Sequence, residues 1–126
     1  MKEVNNRLGE FIVSKRKSKN MTAAHLAHEL GISAVYMCDI EKNRRATTSK
    51  PFLDKLASVL QLSETETELL YDLAAIAKNT ISPDLPEYIM ERKVVRTALR
   101  TAKKKGIPDE KWDDFITDIS DNSKRD

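Results

Sequence analysis

The chain has 126 residues, of which 40% are apolar and 33% charged, so it can bury one modest core with a small appendage at most. No run approaches the ~20 apolar residues of a membrane span, and the polar N-terminus leads into no apolar stretch typical of a signal peptide. A single cysteine, Cys38, excludes an intramolecular disulfide and a cysteine-cluster zinc site, so we expect a soluble, cytoplasmic chain with no membrane segment.

The net charge of +2 is unevenly distributed along the chain. Residues 1–62 carry 11 Lys and Arg against 6 Asp and Glu, a net of +5. Residues 63–126 carry 11 against 14, a net of −3. A basic first half fits a polyanionic partner, whereas the acidic second half does not.

The spacing of apolar residues predicts seven helices and no strand, so the predicted fold class is all-α. In chain order the helices cover approximately residues 6–17, 23–30, 34–42, 52–60, 64–78, 87–105 and 108–120. The sixth is expected to be kinked or split near its start. Residues 79–86, which include two prolines, are the predicted boundary between a domain at 1–78 and a helical extension at 79–126.

The ends of the second and third helices carry the clearest local signals. Thr22 and Ser33 are good N-cap residues, because their hydroxyls can accept a bond from the first turn of a helix. Gly31 accepts a positive φ and lets the chain reverse between the two helices. Asn43 suits a left-handed stop after the third. Two short helices joined in this way are a helix-turn-helix candidate.

The segment 21–45 resembles the helix-turn-helix of the Xre-type, lambda-repressor-like family of phage repressors and bacterial regulators. The matching features are Leu26-Ala27, Leu30-Gly31-Ile32-Ser33, Tyr36-Met37, Ile40-Glu41 and Arg44-Arg45. The resemblance covers about residues 5–65, including Arg7-Leu8-Gly9-Glu10-Phe11-Ile12 upstream and Leu56-Ala57-Ser58-Val59-Leu60 downstream. It implies a five-helix lambda-repressor-like DNA-binding domain, followed here by a helical C-terminal extension.

The resemblance also implies which residues meet double-stranded DNA, with the third helix in the major groove. The positions at the bases or the nearest phosphate are Ser33, Ala34, Val35, Cys38 and Asp39, with Ala23 beside the backbone. The positions at the phosphates after the reading helix are Lys42, Asn43, Arg44 and Arg45, and within reach are Lys15, Arg16 and Lys17. Two positions depart from the family, which often has Gln at Ala23 and Gly at Asn43.

The predicted reading helix is chemically unusual, because it has no Arg, Gln or Asn before Asn43 to make a bidentate contact with G or A. Ala34 and Val35 can contact thymine methyl groups, and Asp39 can accept a hydrogen bond from cytosine N4. Asp39 could instead pair with a nearby arginine. Sequence preference is therefore expected to depend partly on DNA shape and on Arg44 and Arg45.

Other interpretations stay open beside this one. His25 and His28 could bind a metal but have no third ligand in sight, so no metal or cofactor is expected. The stripe of Trp112, Phe115, Ile116 and Ile119 is either core packing or a partner face. No nucleophile–base set appears, which disfavours an enzyme. The main hypothesis is a repressor that binds a two-fold operator as a homodimer. The alternative is an antitoxin or anti-defence protein whose C-terminal helices bind a protein partner.

Overall fold

The computed structural model describes residues 7–47 and 49–125, and every regular element within those ranges is an α-helix. The helices are α1 (Arg7–Ser18), α2 (Ala23–Leu30), α3 (Ala34–Glu41), α4 (Lys50–Val59), α5 (Glu64–Lys78), α6 (Pro86–Glu91), α7 (Lys93–Lys105) and α8 (Asp109–Arg125). The all-α prediction is confirmed. The predicted start of the first helix at Asn6 lies outside the described residues.

Local capping explains why the early helices begin and end where they do. The hydroxyl of Thr22 accepts from the His25 N–H at 3.0 Å, and that of Ser33 accepts from the Tyr36 N–H at 3.0 Å. Gly31, with φ 73°, ends α2 in the left-handed conformation. Each cap satisfies a backbone group that a helix end otherwise leaves without a partner.

The fourth helix starts earlier than predicted, and the break expected near the start of the sixth is confirmed. The fourth helix begins at Lys50 rather than Phe52, because Pro51 occupies its first turn, where no N–H is needed. The predicted sixth helix is two helices, since Arg92 is extended with φ −126°. The Arg96 guanidinium donates to the carbonyls of Ile89 and Met90 and so satisfies oxygens left free by the break.

The chain forms two compact units, Met1–Glu87 and Tyr88–Asp126. The first has a core of aliphatic side chains contributed by α1 to α5, and its most deeply buried members are Leu8, Ile12, Leu26, Met37, Ile40, Leu53, Leu56, Leu60 and Leu70. The Ser82 hydroxyl is buried and donates to the Asp72 carboxylate on α5, which holds the segment after α5 on this unit.

The second unit contains the end of α6 with α7 and α8, and it lacks such a core. None of its described side chains from 88 to 121 is buried. Within the ranges given above, no helix combines the length and the hydropathy needed to cross a membrane.

Candidate nucleic-acid interface

Helix α3 divides its side chains between the core and an outward face. Met37 and Ile40 are fully buried against Leu26 and Leu30 of α2 and the other core residues. The opposite face carries four predicted contact residues, of which Val35 is 72% exposed. Ala34 is also exposed, and Cys38 and Asp39 are half-buried. The core thus fixes the helix and leaves one continuous face available to a partner.

The end of α3 lies against the start of α1 in a backbone-to-backbone contact. Asn43 is left-handed with φ 62°, and its Oδ1 accepts from the buried Gly9 N–H at 2.8 Å. A Cβ on Gly9 would lie 2.2 Å from the Glu41 carbonyl oxygen, so only glycine permits this approach. The side chain of Asn43, predicted to face phosphates, therefore also caps the first turn of α1.

An ion pair between α1 and α3 fixes the same junction. Arg16 donates from Nε and from its second amino group to the Glu41 carboxylate at 2.7 and 3.0 Å, and from the remaining amino group to the Met21 carbonyl at 2.9 Å. The two side chains are only 12% and 9% exposed. Because the guanidinium donates to Glu41 and to the Met21 carbonyl, Arg16 braces α3 on α1, and this geometry disfavours the phosphate contact predicted for it.

The other two cations at the end of α1 differ in environment. Lys15 forms an ion pair with Glu66 of α5, and its ammonium lies 5.6 Å from the centre of the Phe11 ring. Its hydrogen bond, followed by the Ser63 N–H bond, lowers the pKa of Glu66 to about 2. Lys17 is exposed and has no ion-pair partner in the described part of the chain. Of the three, Lys17 is therefore the one whose charged group is not engaged in an ion pair within the described residues.

The two arginines after α3 are held by residues of α3 itself. The Arg44 guanidinium lies 3.6 Å from Asp39 Oδ1, and the backbone N–H groups of Arg44 and Arg45 donate to the Asp39 carbonyl at 2.8 and 3.2 Å. The Arg45 guanidinium lies 5.3 Å from the centre of the Tyr36 ring. Tyr36 meets Phe52 edge to face at 6.5 Å. Asp39 therefore forms the ion pair with an arginine that the sequence analysis left as an alternative. The side chains of Arg44 and Arg45 are both held by contacts with α3.

The remaining predicted contacts lie at the ends of these helices. Ala23 is the half-buried first residue of α2, Ser33 is the exposed N-cap of α3, and Lys42 is its exposed C-cap. His25 and His28 are both exposed. No group of three His, Cys, Asp or Glu side chains that could hold a metal occurs among the described residues.

Sequence reasoning missed the supporting residues Gly9 and Glu41. A glycine within an amphipathic helix destabilises it relative to alanine, so Gly9 was a signal that something approaches the backbone closely. Glu41 was noted only as part of the family resemblance, and its role as a brace was not expected because a charged residue at the end of a short helix is usually solvated. Whether the outward face touches DNA stays a prediction.

Comparison with known proteins identifies relatives of part of the chain. Over 56 residues it is 34% identical to the HTH-type transcriptional regulator SinR of Bacillus subtilis (strain 168), and it is equally similar to SinR of Bacillus licheniformis. The match covers 44% of this chain and 50% of each regulator, so the chain spans about half the length of the curated relatives it matches. No family model matches the chain, and neither does any solved structure.

Proposed function

We propose that this chain is a member of the Xre-type, lambda-repressor-like helix-turn-helix family and a sequence-specific DNA-binding transcriptional regulator. The observation that carries the proposal is the outward face of α3, where Ala34, Val35, Cys38 and Asp39 are presented by a helix whose other side is fixed in the core. A B-DNA major groove about 12 Å wide admits one such helix. The relatives are regulators rather than enzymes, which supports a binding function over a catalytic one.

Base preference in this proposal comes from the first turns of α3. Val35 and Ala34 are small and apolar, so they fit against thymine methyl groups. The Asp39 carboxylate has two oxygens, so one can accept from cytosine N4 while Oδ1 keeps its ion pair with Arg44. Readout through DNA shape supplies the remaining preference.

Affinity comes from cations around the reading helix. Lys42, Arg44 and Arg45 follow α3 directly, and Lys17 is an exposed cation in the last turn of α1. The Arg45 guanidinium is already held beside Tyr36, so it gives up less side-chain freedom when it meets a phosphate. Each phosphate neutralised releases condensed counterions, which makes binding strongly salt-dependent.

The domain at 1–78 is proposed to bind DNA and the extension at 79–126 to support dimerisation or regulation. A single reading helix contacts few base pairs, so a homodimer on a two-fold operator is the expected binding unit. Within this proposal the regulator is a repressor, because occupying an operator is sufficient to block transcription.

A second candidate is a DNA-binding antitoxin or anti-defence protein with a protein partner on its C-terminal helices. The observation in its favour is the set of exposed apolar side chains on α7 and α8, which needs a covering surface. A different protein that co-purifies in fixed stoichiometry would support this candidate.

The test is selection of bound sites from random DNA by the purified full chain at two salt concentrations. A recurrent site with two-fold symmetry, recovered at both salts, is expected. Val35→Gln should change the preferred base at one position of each half-site by about 1–3 kcal/mol of discrimination, while affinity for random DNA is unchanged. His28→Gln, on the exposed side of α2, is the control. Enrichment of no site, or an unchanged site with Val35→Gln, would contradict the assignment of α3.

A further inference from the structure

The second unit is built from amphipathic helices whose apolar faces are left uncovered. The helices α7 and α8 stand on either side of a groove of about 400 Å³, lined mainly by Tyr88, Val95, Leu99, Ile107, Trp112 and Phe115. Ile116 is 55% exposed and Val94 is 68% exposed. Apolar side chains at helical spacing ordinarily form a core, and here each helix supplies only half of one.

The charges of this unit are segregated by helix. Between Lys93 and Lys105, α7 carries six Lys and Arg and no acidic residue. Between Asp109 and Asp121, α8 carries six Asp and Glu and one Lys. No ion pair joins the two helices among the side chains described. A surface that is basic on one helix and acidic on the other is complementary to itself after a two-fold rotation.

We propose that the groove is covered by the same unit of a second copy of this chain, so that α7 and α8 of both copies form a four-helix bundle. This inference deepens the proposed function, because the bundle would supply the dimer that a two-fold operator needs. The apolar faces of all four helices meet in the bundle centre, as in other antiparallel bundles. The shared core then replaces the one that each copy lacks.

The charge pattern selects one arrangement of the four helices. If the two basic helices were neighbours, like charges would face each other along their length, and the same holds for the two acidic helices. When α7 lies between α8 of its own chain and α8 of the other copy, every neighbouring pair is of opposite charge. Like helices then lie diagonally across the bundle.

The same pattern disfavours a membrane surface as the occupant. A basic amphipathic helix alone is attracted to anionic lipid. Here α8 borders the same groove and carries acidic residues, which an anionic surface repels. A second copy satisfies both helices at once.

Sedimentation equilibrium of the full chain without DNA tests the inference. The parent is expected to be a dimer at micromolar concentration. Ile116→Asp places a carboxylate in the bundle centre in both copies and should weaken the dimer about 30-fold or more, as removal of an interface hot spot does. Thr117→Asp is the matched control, because the neighbouring exposed residue lies on the polar side of α8 and should leave the dimer unchanged.

On α7, Leu99→Glu is the test variant and Thr97→Glu, a separate variant, is its control. Circular dichroism checks that all four variants keep their helices. A parent chain that stays monomeric, or dimers that tolerate both Ile116→Asp and Leu99→Glu, would overturn the proposal. A monomer that binds vesicles of anionic phospholipid, or one that forms a fixed complex with another protein, overturns it also.

Carbodiimide cross-linking of a mixture of isotope-labelled and unlabelled chains tests the arrangement, since this reagent joins a lysine to a carboxylate without a spacer. Links between copies are expected to join a lysine of α7, such as Lys103, to a carboxylate of α8, such as Asp113. Links between copies that avoid this helix pair would refute the diagonal arrangement. Failure of the dimer with site selection intact refutes this inference alone, whereas an intact dimer that selects no site refutes the proposed function alone.

Discussion

Replacing Gly9 with alanine is expected to destabilise the first unit, although alanine is the better helix former. In an ordinary helix the exchange would stabilise by about 1 kcal/mol. Here the new Cβ would lie 2.2 Å from the Glu41 carbonyl oxygen and 2.8 Å from Asn43 Oδ1. Since ordinary contact begins at 3.4 Å, α1 and the end of α3 must separate by about 1.2 Å.

The size of the effect follows from what this separation breaks. Overpacking of a well-packed site costs about 1–3 kcal/mol, and an unsatisfied buried N–H, here that of Gly9, costs about 1–3 kcal/mol. After the gain in helix propensity, the free energy of unfolding should fall by about 3 kcal/mol. For a unit of this size the melting temperature should drop by roughly 12–24 °C.

Gly31→Ala is the matched control, because Gly31 has a positive φ but no atom within 4 Å of the added Cβ. It should cost only the left-handed strain, about 1–2 kcal/mol. Urea unfolding followed by circular dichroism compares the two variants. If Gly9→Ala is neutral or stabilising, or costs less than Gly31→Ala, the close packing of α1 on α3 is not what holds α3 in place.

Three further predictions concern charges. Arg16→Met should lower the free energy of unfolding by about 3–5 kcal/mol, because it leaves the buried Glu41 carboxylate without its partner; equal stability in urea would contradict this. Arg44→Ala combined with Arg45→Ala should weaken binding to every DNA sequence and flatten the plot of log K against log salt by ~0.9 for each phosphate that is no longer neutralised, whereas Lys55→Ala, at an exposed position of α4, should leave the slope unchanged. Glu66→Gln should destabilise the first unit at neutral pH, and its difference from the parent should vanish as the pH falls from about 4.5 through about 2. The sign follows because the folded state holds the pKa of Glu66 below its ordinary value, so the charged carboxylate stabilises only above that range; a difference that persists at the acid end refutes it.

The parts of the fold that local chemistry determines were predictable from sequence. Thr22 and Ser33 fix helix starts through hydroxyl groups that act within three residues, and those starts are confirmed. The start of α4 was less predictable, since Pro51 is compatible with either side of a helix start. The split near the start of the predicted sixth helix is confirmed, but its position at Arg92 depends on Arg96 reaching back to the carbonyls of α6, an interaction that a spacing rule does not contain.

The candidate site was predictable on its outward face and not in its support. Side chains such as Val35 lie outward because the buried pattern of Met37 and Ile40 leaves them no other direction. In contrast, Arg16 lies 25 residues from Glu41, and Gly9 lies 34 from Asn43. Pairings at this separation depend on how the helices pack together. The basic run Lys15-Arg16-Lys17 therefore gave no indication that Arg16 forms an internal ion pair.

The position of Trp112 makes the two units optically separable. It is the one tryptophan of the chain, and it lies on the groove of the second unit, edge to face with Phe115 at 6.4 Å. Tryptophan emission excited apart from tyrosine therefore reports on the second unit only, while far-ultraviolet dichroism reports on the helices of both units, so a transition absent from the emission belongs to the first. A denaturation followed by both signals assigns each transition to its unit without a label. A dilution series followed by emission alone reports the solvent exposure of the Trp112 ring in the groove.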